Sequence, residues 1–360
     1  MIRGLAALAV FAGHLRIIFF RDVPVYELPF LGKLVFFISG FSHSAVVLFF
    51  TLSGFLIIFS IHEAVLKKRW TFSNYAFNRL IRLWIVLIPC LALGLFWDKL
   101  GLRYWGDSVF YSNHWKYFLN QDLASKLSPT IFIGNVFFLQ KIFVPVLGSN
   151  GSLWSLTNEF WYYVVFPLFY FASFNFYKKY VRLIFAVAGI LILFIVGKDI
   201  SINFIIWLMG GLSYVLVKYL NPDFLKRKIW LWILTILFLF IICMERSKIY
   251  PDIFNNFSIG VSFSLLIPFL TKTPMKSTVI KSISVYLSDI SYTLYLAHLP
   301  IIYVITSMMA CQNLVWSTKN FFLFLIVTIV VFLYSRLVWY IFERNTKKIK
   351  TWLNLKRTFV

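Results

Sequence analysis

Apolar residues run along this chain in unbroken blocks rather than in alternation. Ten blocks can be drawn, at roughly 4–20, 43–61, 80–97, 154–172, 183–197, 202–218, 229–244, 254–270, 286–305 and 320–341. Most approach the ~17–25 residues that carry a helix across a hydrocarbon core. None has the two-residue alternation that a membrane barrel requires, which leaves helices as the spanning structure. The pattern predicts an all-α fold, a polytopic transmembrane helical bundle of about 10 spans. Two stretches need a decision. The block 131–147, IFIGNVFFLQKIFVPVL, holds Gln140, Lys141 and Pro145. Counted as a span it would invert everything after it, so it is expected to be interfacial or re-entrant. The first block follows a short basic start, but no small-x-small cleavage signal succeeds it, so it is expected to be a retained first span.

Charge sets the orientation. The chain has 35 Lys and Arg against 13 Asp and Glu, a net charge of +22. In a soluble protein this would suggest a nucleic-acid surface. With 61% hydrophobic and 13% charged residues, the excess instead fits cytoplasmic loops beside anionic membrane lipids, and no nucleic acid is expected as a partner. If the N-terminus is inside, 22 of the 35 basic residues fall on inner segments. These include Lys67, Lys68 and Arg69, Lys178 and Lys179, Lys276, and six between Arg344 and Arg357. The long outer loop has only Lys99, Arg103, Lys116, Lys126 and Lys141. Both termini are therefore expected in the cytoplasm. The expected organisation is one membrane domain over 1–344 and a short basic cytoplasmic tail over 345–360. The polar, Trp- and Tyr-bearing stretch 98–129 is a candidate cover for the outer mouth of a site. Cys90, Cys243 and Cys311 have no metal-ligand spacing and are expected to be small buried hydrophobes.

Ionisable residues inside apolar blocks are costly and therefore candidates for chemistry. His14 follows Arg3 by eleven residues, about 16 Å along a helix axis. This places it in the outer half of the membrane, as a proton acceptor for a hydroxyl or as a histidine satisfied by a neighbouring helix. Ser53 and Gly54 in FFTLSGFLI permit close approach of a helix or of a ligand. Arg79 and Arg82, three apart at the inner end of the third span, share a helix face. They suit either phosphates or ordinary inner-surface anchoring. In GSLWSLTNEFWYYVVFPLF, Ser152, Ser155 and Glu159 follow steps of three and four on one face, beside Trp154 and Tyr162. Glu159 there can orient an imidazole or bind a sugar hydroxyl, and Ser152 can cap the helix. His298 lies deep in the ninth span, two residues before Pro300, where a kink would leave carbonyls to be satisfied. Glu343 and Arg344, at the inner end of the last span, read as an anchor or ion pair.

Taken in order, RGLAALAVFAGH, FFTLSGFLI, RLIR, LWSLTNEFWYYVVFP and SYTLYLAHLP resemble the integral-membrane acyltransferase-3 family of bacterial O-antigen, capsule and exopolysaccharide O-acetylases. The resemblance covers nearly the whole chain. It departs at Asn345, where many relatives have proline. It implies an enzyme, an O-acyltransferase of the bacterial inner membrane. The donor would be acyl-CoA, usually acetyl-CoA, on the cytoplasmic side, with no bound cofactor or metal. The acceptor would be a saccharide or lipid-linked glycan on the outer side. It also implies His14 as catalytic base and Arg79 and Arg82 as donor-binding residues. To these are added Arg3 at the donor and Glu159 orienting acceptor or histidine. Ser53, Gly54, Trp154, Ser155, Tyr162 and His298 are expected as structural or substrate-lining residues. From polar spans and aromatic mouth alone, a transporter or flippase of a lipid-linked saccharide is the rival reading.

Overall fold

The computed structural model describes residues 1–112, 122–246, 249–273 and 277–357. Lys116, Lys276 and the middle of the 98–129 stretch lie outside the described residues. Among the described residues the protein is helical, with only two isolated bridge pairs besides. The helices are α1 (Ile2–Phe19), α2 (Phe30–Ser39), α3 (Ser42–Leu66), α4 (Phe72–Trp105), α5 (Pro129–Val136), α6 (Leu153–Ser173), α7 (Lys179–Val196), α8 (Lys198–Tyr219), α9 (Pro222–Leu225), α10 (Lys228–Glu245), α11 (Asp252–Lys272), α12 (Thr278–Met308), α13 (Thr318–Ile341) and α14 (Thr346–Arg357).

Every expected span has its helix. Nine segments among the described residues are long and apolar enough to cross a bilayer. The remaining one, α6, has 21 residues but is polar over its first two turns, at Ser155, Thr157, Asn158 and Glu159. Several helices outrun their apolar blocks. The 34 residues of α4 extend about 51 Å, well beyond a ~30 Å hydrocarbon core. The stretch 131–147 does not span. Its helix α5 has eight residues, about 12 Å, and turns follow it to Leu147.

The chain forms two compact units, one of residues 1–42, 72–154 and 284–360, the other of 43–71 and 155–283. In the first, α1 packs against α2 and α13, while α4 carries α5 and α14. Gly13, next to His14, allows the closeness to α2, since a Cβ there would lie 2.7 Å from the carbonyl oxygen of Ser39 and 2.6 Å from the Cβ of Ser42 at the start of α3. Within α12 the residues from Ile290 to Ser307 are almost all buried. Pro300 has no N–H to give the carbonyl of Leu296, four residues earlier. The Nδ2 of Asn150 donates to that oxygen at 2.7 Å. Asn150 is held in turn by its neighbour. The buried carboxylate of Asp98 on α4 accepts from the Ser149 amide at 2.8 Å and from its hydroxyl at 2.6 Å. Gly148, with φ of 55°, lies so close to Asp98 that a side chain would have no room.

In the second unit α8 packs on α7 and α11, and α10 on α11. Gly54 of α3 meets the backbone of Trp207 on α8, and Gly210 of α8 meets that of Thr51 and Phe55. Two backbones approach where neither glycine has a Cβ. Pro268 frees the carbonyl of Ser264, and the hydroxyl of Ser213 donates to it at 2.8 Å. The same proline device thus occurs once in each unit. Helices α7 and α10 present exposed apolar side chains such as Ile190, Phe194, Ile236 and Phe240, as lipid-facing helices do. Cys90 and Cys311 are buried, whereas Cys243 on α10 is exposed. The expectation of burial fails for Cys243 because α10 is packed along little of its perimeter.

Candidate active site

The expected residues separate by unit. Arg3, His14, Arg79, Arg82, Trp154 and His298 belong to the first; Ser53, Gly54, Ser155, Glu159 and Tyr162 belong to the second.

In the first unit, His14 on α1 meets His298 on α12, with its Nδ1 2.9 Å from Nε2 of His298. The protons in this pair follow from donor bookkeeping. Nδ1 of His298 lies 2.8 Å from the carbonyl oxygen of Leu294. A carbonyl only accepts, so that nitrogen carries hydrogen. The Nε2 of neutral His298 is therefore unprotonated and accepts from Nδ1–H of His14. This fixes the tautomer of His14 and leaves its Nε2 unprotonated, the basic nitrogen of the pair. Burial agrees with this order. His298 is fully buried, against Phe11 at 5.9 Å between ring centroids, whereas His14 is partly accessible.

In the same unit, Glu343 accepts from the amide and hydroxyl of Thr293 on α12. Arg3 and Arg82 both act electrostatically on it. The expected ion pair of Glu343 with Arg344 is not formed. Arg344 sits over the Tyr340 ring at 4.7 Å, because Glu343 turns toward α12. Arg79 stacks on Tyr75 one turn away, at 5.5 Å. The donor-binding candidates Arg3 and Arg82 thus both lie within electrostatic reach of Glu343.

In the second unit, Glu159 on α6 accepts from Ser53 of α3 at 3.0 Å and from Tyr163 one turn along. Ser53 therefore has a polar function that Gly54 beside it lacks, since Gly54 serves helix packing. Tyr162 is fully buried, and its hydroxyl donates to the carbonyl of Ile200 at 2.8 Å. It belongs to a core with Phe204 and Trp207 and is structural. Ser155 is buried, and Trp154 lies beneath the ammonium of Lys141 at 5.8 Å.

Sequence reasoning named Glu159 as the group that would orient the acceptor or the histidine. The ring-to-ring contact of His14 goes to His298, which had been counted among structural or lining residues. Asn150 and Asp98 had no role assigned, and Glu343 only that of an anchor or ion pair. Pro300 was a usable signal for Asn150, since a proline within a buried helix demands a donor elsewhere. Among the described residues, no three His, Cys, Asp or Glu side chains gather as a metal ion would need.

The comparisons with known proteins bear on this arrangement. The profile of the acyltransferase domain family Acyl_transf_3 matches residues 1–340. No curated protein matches, and no solved structure matches. Members of that family are acyl-CoA-dependent O-acyltransferases acting on envelope or exported saccharides. Together with the apolar helices, the match gives a multi-pass enzyme of the bacterial inner membrane that transfers acyl groups. Matched over residues 1–340 of its 360, the chain belongs to the acyltransferase-3 family.

Proposed function

We propose that the protein transfers an acetyl group from acetyl-CoA, held at the inner face, to a hydroxyl of a saccharide or lipid-linked glycan at the outer face. The observation that carries this reading is the His14–His298 pair with its directed tautomers. As the acceptor oxygen attacks the thioester carbonyl, Nε2 of His14 takes the hydroxyl proton. Nδ1–H of His14 keeps donating to His298, so the imidazolium remains hydrogen-bonded. Collapse of the tetrahedral intermediate breaks the C–S bond, and His14 returns the proton to the departing thiolate. Arg79 and Arg82, with Arg3, hold the phosphates of the donor through charge-assisted hydrogen bonds. Glu159, positioned by Ser53 and Tyr163, accepts from a saccharide hydroxyl. Basic inner loops lie against anionic lipid headgroups.

The test is transfer of radiolabelled acetyl from acetyl-CoA to envelope saccharide, in membranes carrying wild-type or His14→Ala protein. Labelling by wild type alone is expected. Equal labelling above background by both would overturn His14 as the base. No labelling by wild type would overturn acetyl-CoA as the donor for the saccharide supplied.

A further inference from the structure

The helix α14 (Thr346–Arg357) lies beyond the residues 1–340 that define the family match. It packs on α4, the helix that carries Arg79 and Arg82, within one compact unit. Its half-buried positions are Thr346, Ile349, Lys350 and Leu353, separated by steps of three and four, hence one face. Lys347 and Lys348 are exposed on the other side. An amphipathic helix that only rests on headgroups would turn its lysines outward and its apolar residues down. Lys350 instead shares the inward face with Ile349 and Leu353. There it acts electrostatically on both Arg82 and Arg79.

Lys350 and Arg79 are half-buried and Arg82 is exposed; these like charges repel one another, more strongly where water is excluded. Glu343, just beyond α13, is within electrostatic reach of Arg82 and Arg3. A multiply charged anion would relieve the repulsion between Lys350 and the two arginines. Among the described residues Lys350 has no ion-pair partner of its own.

We propose that Lys350 completes the donor site, contacting a phosphate of acyl-CoA together with Arg79 and Arg82, so that the C-terminal helix is part of the substrate-binding machinery. This rests on the reading that the arginine pair holds the donor phosphates. Phosphate chemistry is common to CoA and to lipid headgroups, and the choice made here is CoA, because Lys350 faces α4 and the arginines rather than the exposed side of its helix.

The experiment uses the full chain in nanodiscs of phosphatidylcholine and measures equilibrium binding of radiolabelled acetyl-CoA. Lys350→Gln is expected to weaken binding about tenfold, as loss of one charge-assisted contact implies, and Lys350→Arg to restore it. Lys347→Gln and Lys348→Gln remove the same charge from the exposed side and are expected to leave binding unchanged. Arg82→Gln tests the underlying reading and is expected to weaken binding as well. Wild-type affinity in Lys350→Gln with a loss in Arg82→Gln would overturn the role of Lys350 and leave the arginine site standing. Wild-type affinity in both would overturn the two together. Equal losses in Lys347→Gln and Lys350→Gln would reduce the effect to general surface charge. A loss confined to discs containing phosphatidylglycerol would assign Lys350 to headgroups. Either result overturns the proposal.

Discussion

At the scale of single residues, the direction of the hydrogen bonds says most. A chain that ends on the carbonyl of Leu294 can only be donated inward, from His14 to His298 to backbone. In the proposed reaction His298 is therefore a positioning residue, with no contact to the reacting atoms required. Substituting His298→Ala is expected to lower kcat about 100-fold with little change in acyl-CoA KM, less than the loss in His14→Ala. Steady-state kinetics separates the two terms, and a KM effect alone would contradict the assignment. In the proposed reaction Glu159 serves the acceptor. Glu159→Gln is expected to raise the acceptor KM about tenfold and to leave the acyl-CoA KM unchanged. Most of these residues were legible as isolated anomalies, a histidine or carboxylate within apolar sequence. Their pairing was not. Spacing along one helix predicts shared faces, as with Ser155 and Glu159, but carries no information on which helix comes next. His14 and His298 are 284 residues apart, and no local pattern connects them.

At the scale of helices, buried prolines determine what the neighbours must supply. Pro300 and Pro268 each leave one carbonyl without its helical donor, and Asn150 and Ser213 provide the replacements. A bare carbonyl in an apolar interior costs about 1–3 kcal/mol. Asn150→Leu is therefore expected to destabilise the protein by that amount, seen as a lower thermal midpoint in detergent. Ser213→Ala should cost a similar amount. Asp98→Asn should resemble Asn150→Leu, because the Ser149 contacts of Asp98 hold the turn from which Asn150 reaches. Helix existence was plain from the apolar blocks, whereas helix ends were not. Hydropathy marks only the part that needs lipid, so α4 begins eight residues before its block. The ten-residue α2 lies outside the ten blocks, since ten residues are too few to span.

At the scale of the whole molecule, charge distribution and sidedness go together. The charge distribution predicts both termini in the cytoplasm, which would put Lys68 inside and Asn313 outside. In a background with the exposed Cys243 replaced, Lys68→Cys is expected to react with an impermeant maleimide only in inverted vesicles, and Asn313→Cys only in intact cells. The opposite labelling would reverse the topology. The membrane class was readable from composition alone, because no soluble protein could cover so much apolar surface. The division into two units was not, since each unit is assembled from separated stretches of sequence. One further consequence comes from α1, which carries Arg3 and His14 on a single rigid rod, anchored near His14 by the closeness of Gly13 to Ser42. A rod of fixed length acts as a depth gauge. With donor phosphates held at its foot, every acyl-CoA brings its thioester to the same level, whatever the length of the acyl chain. Short and long chains then differ only beyond His14, toward the acceptor, so discrimination among acyl groups belongs to the outward half of the protein and should be altered there without loss of affinity for CoA itself.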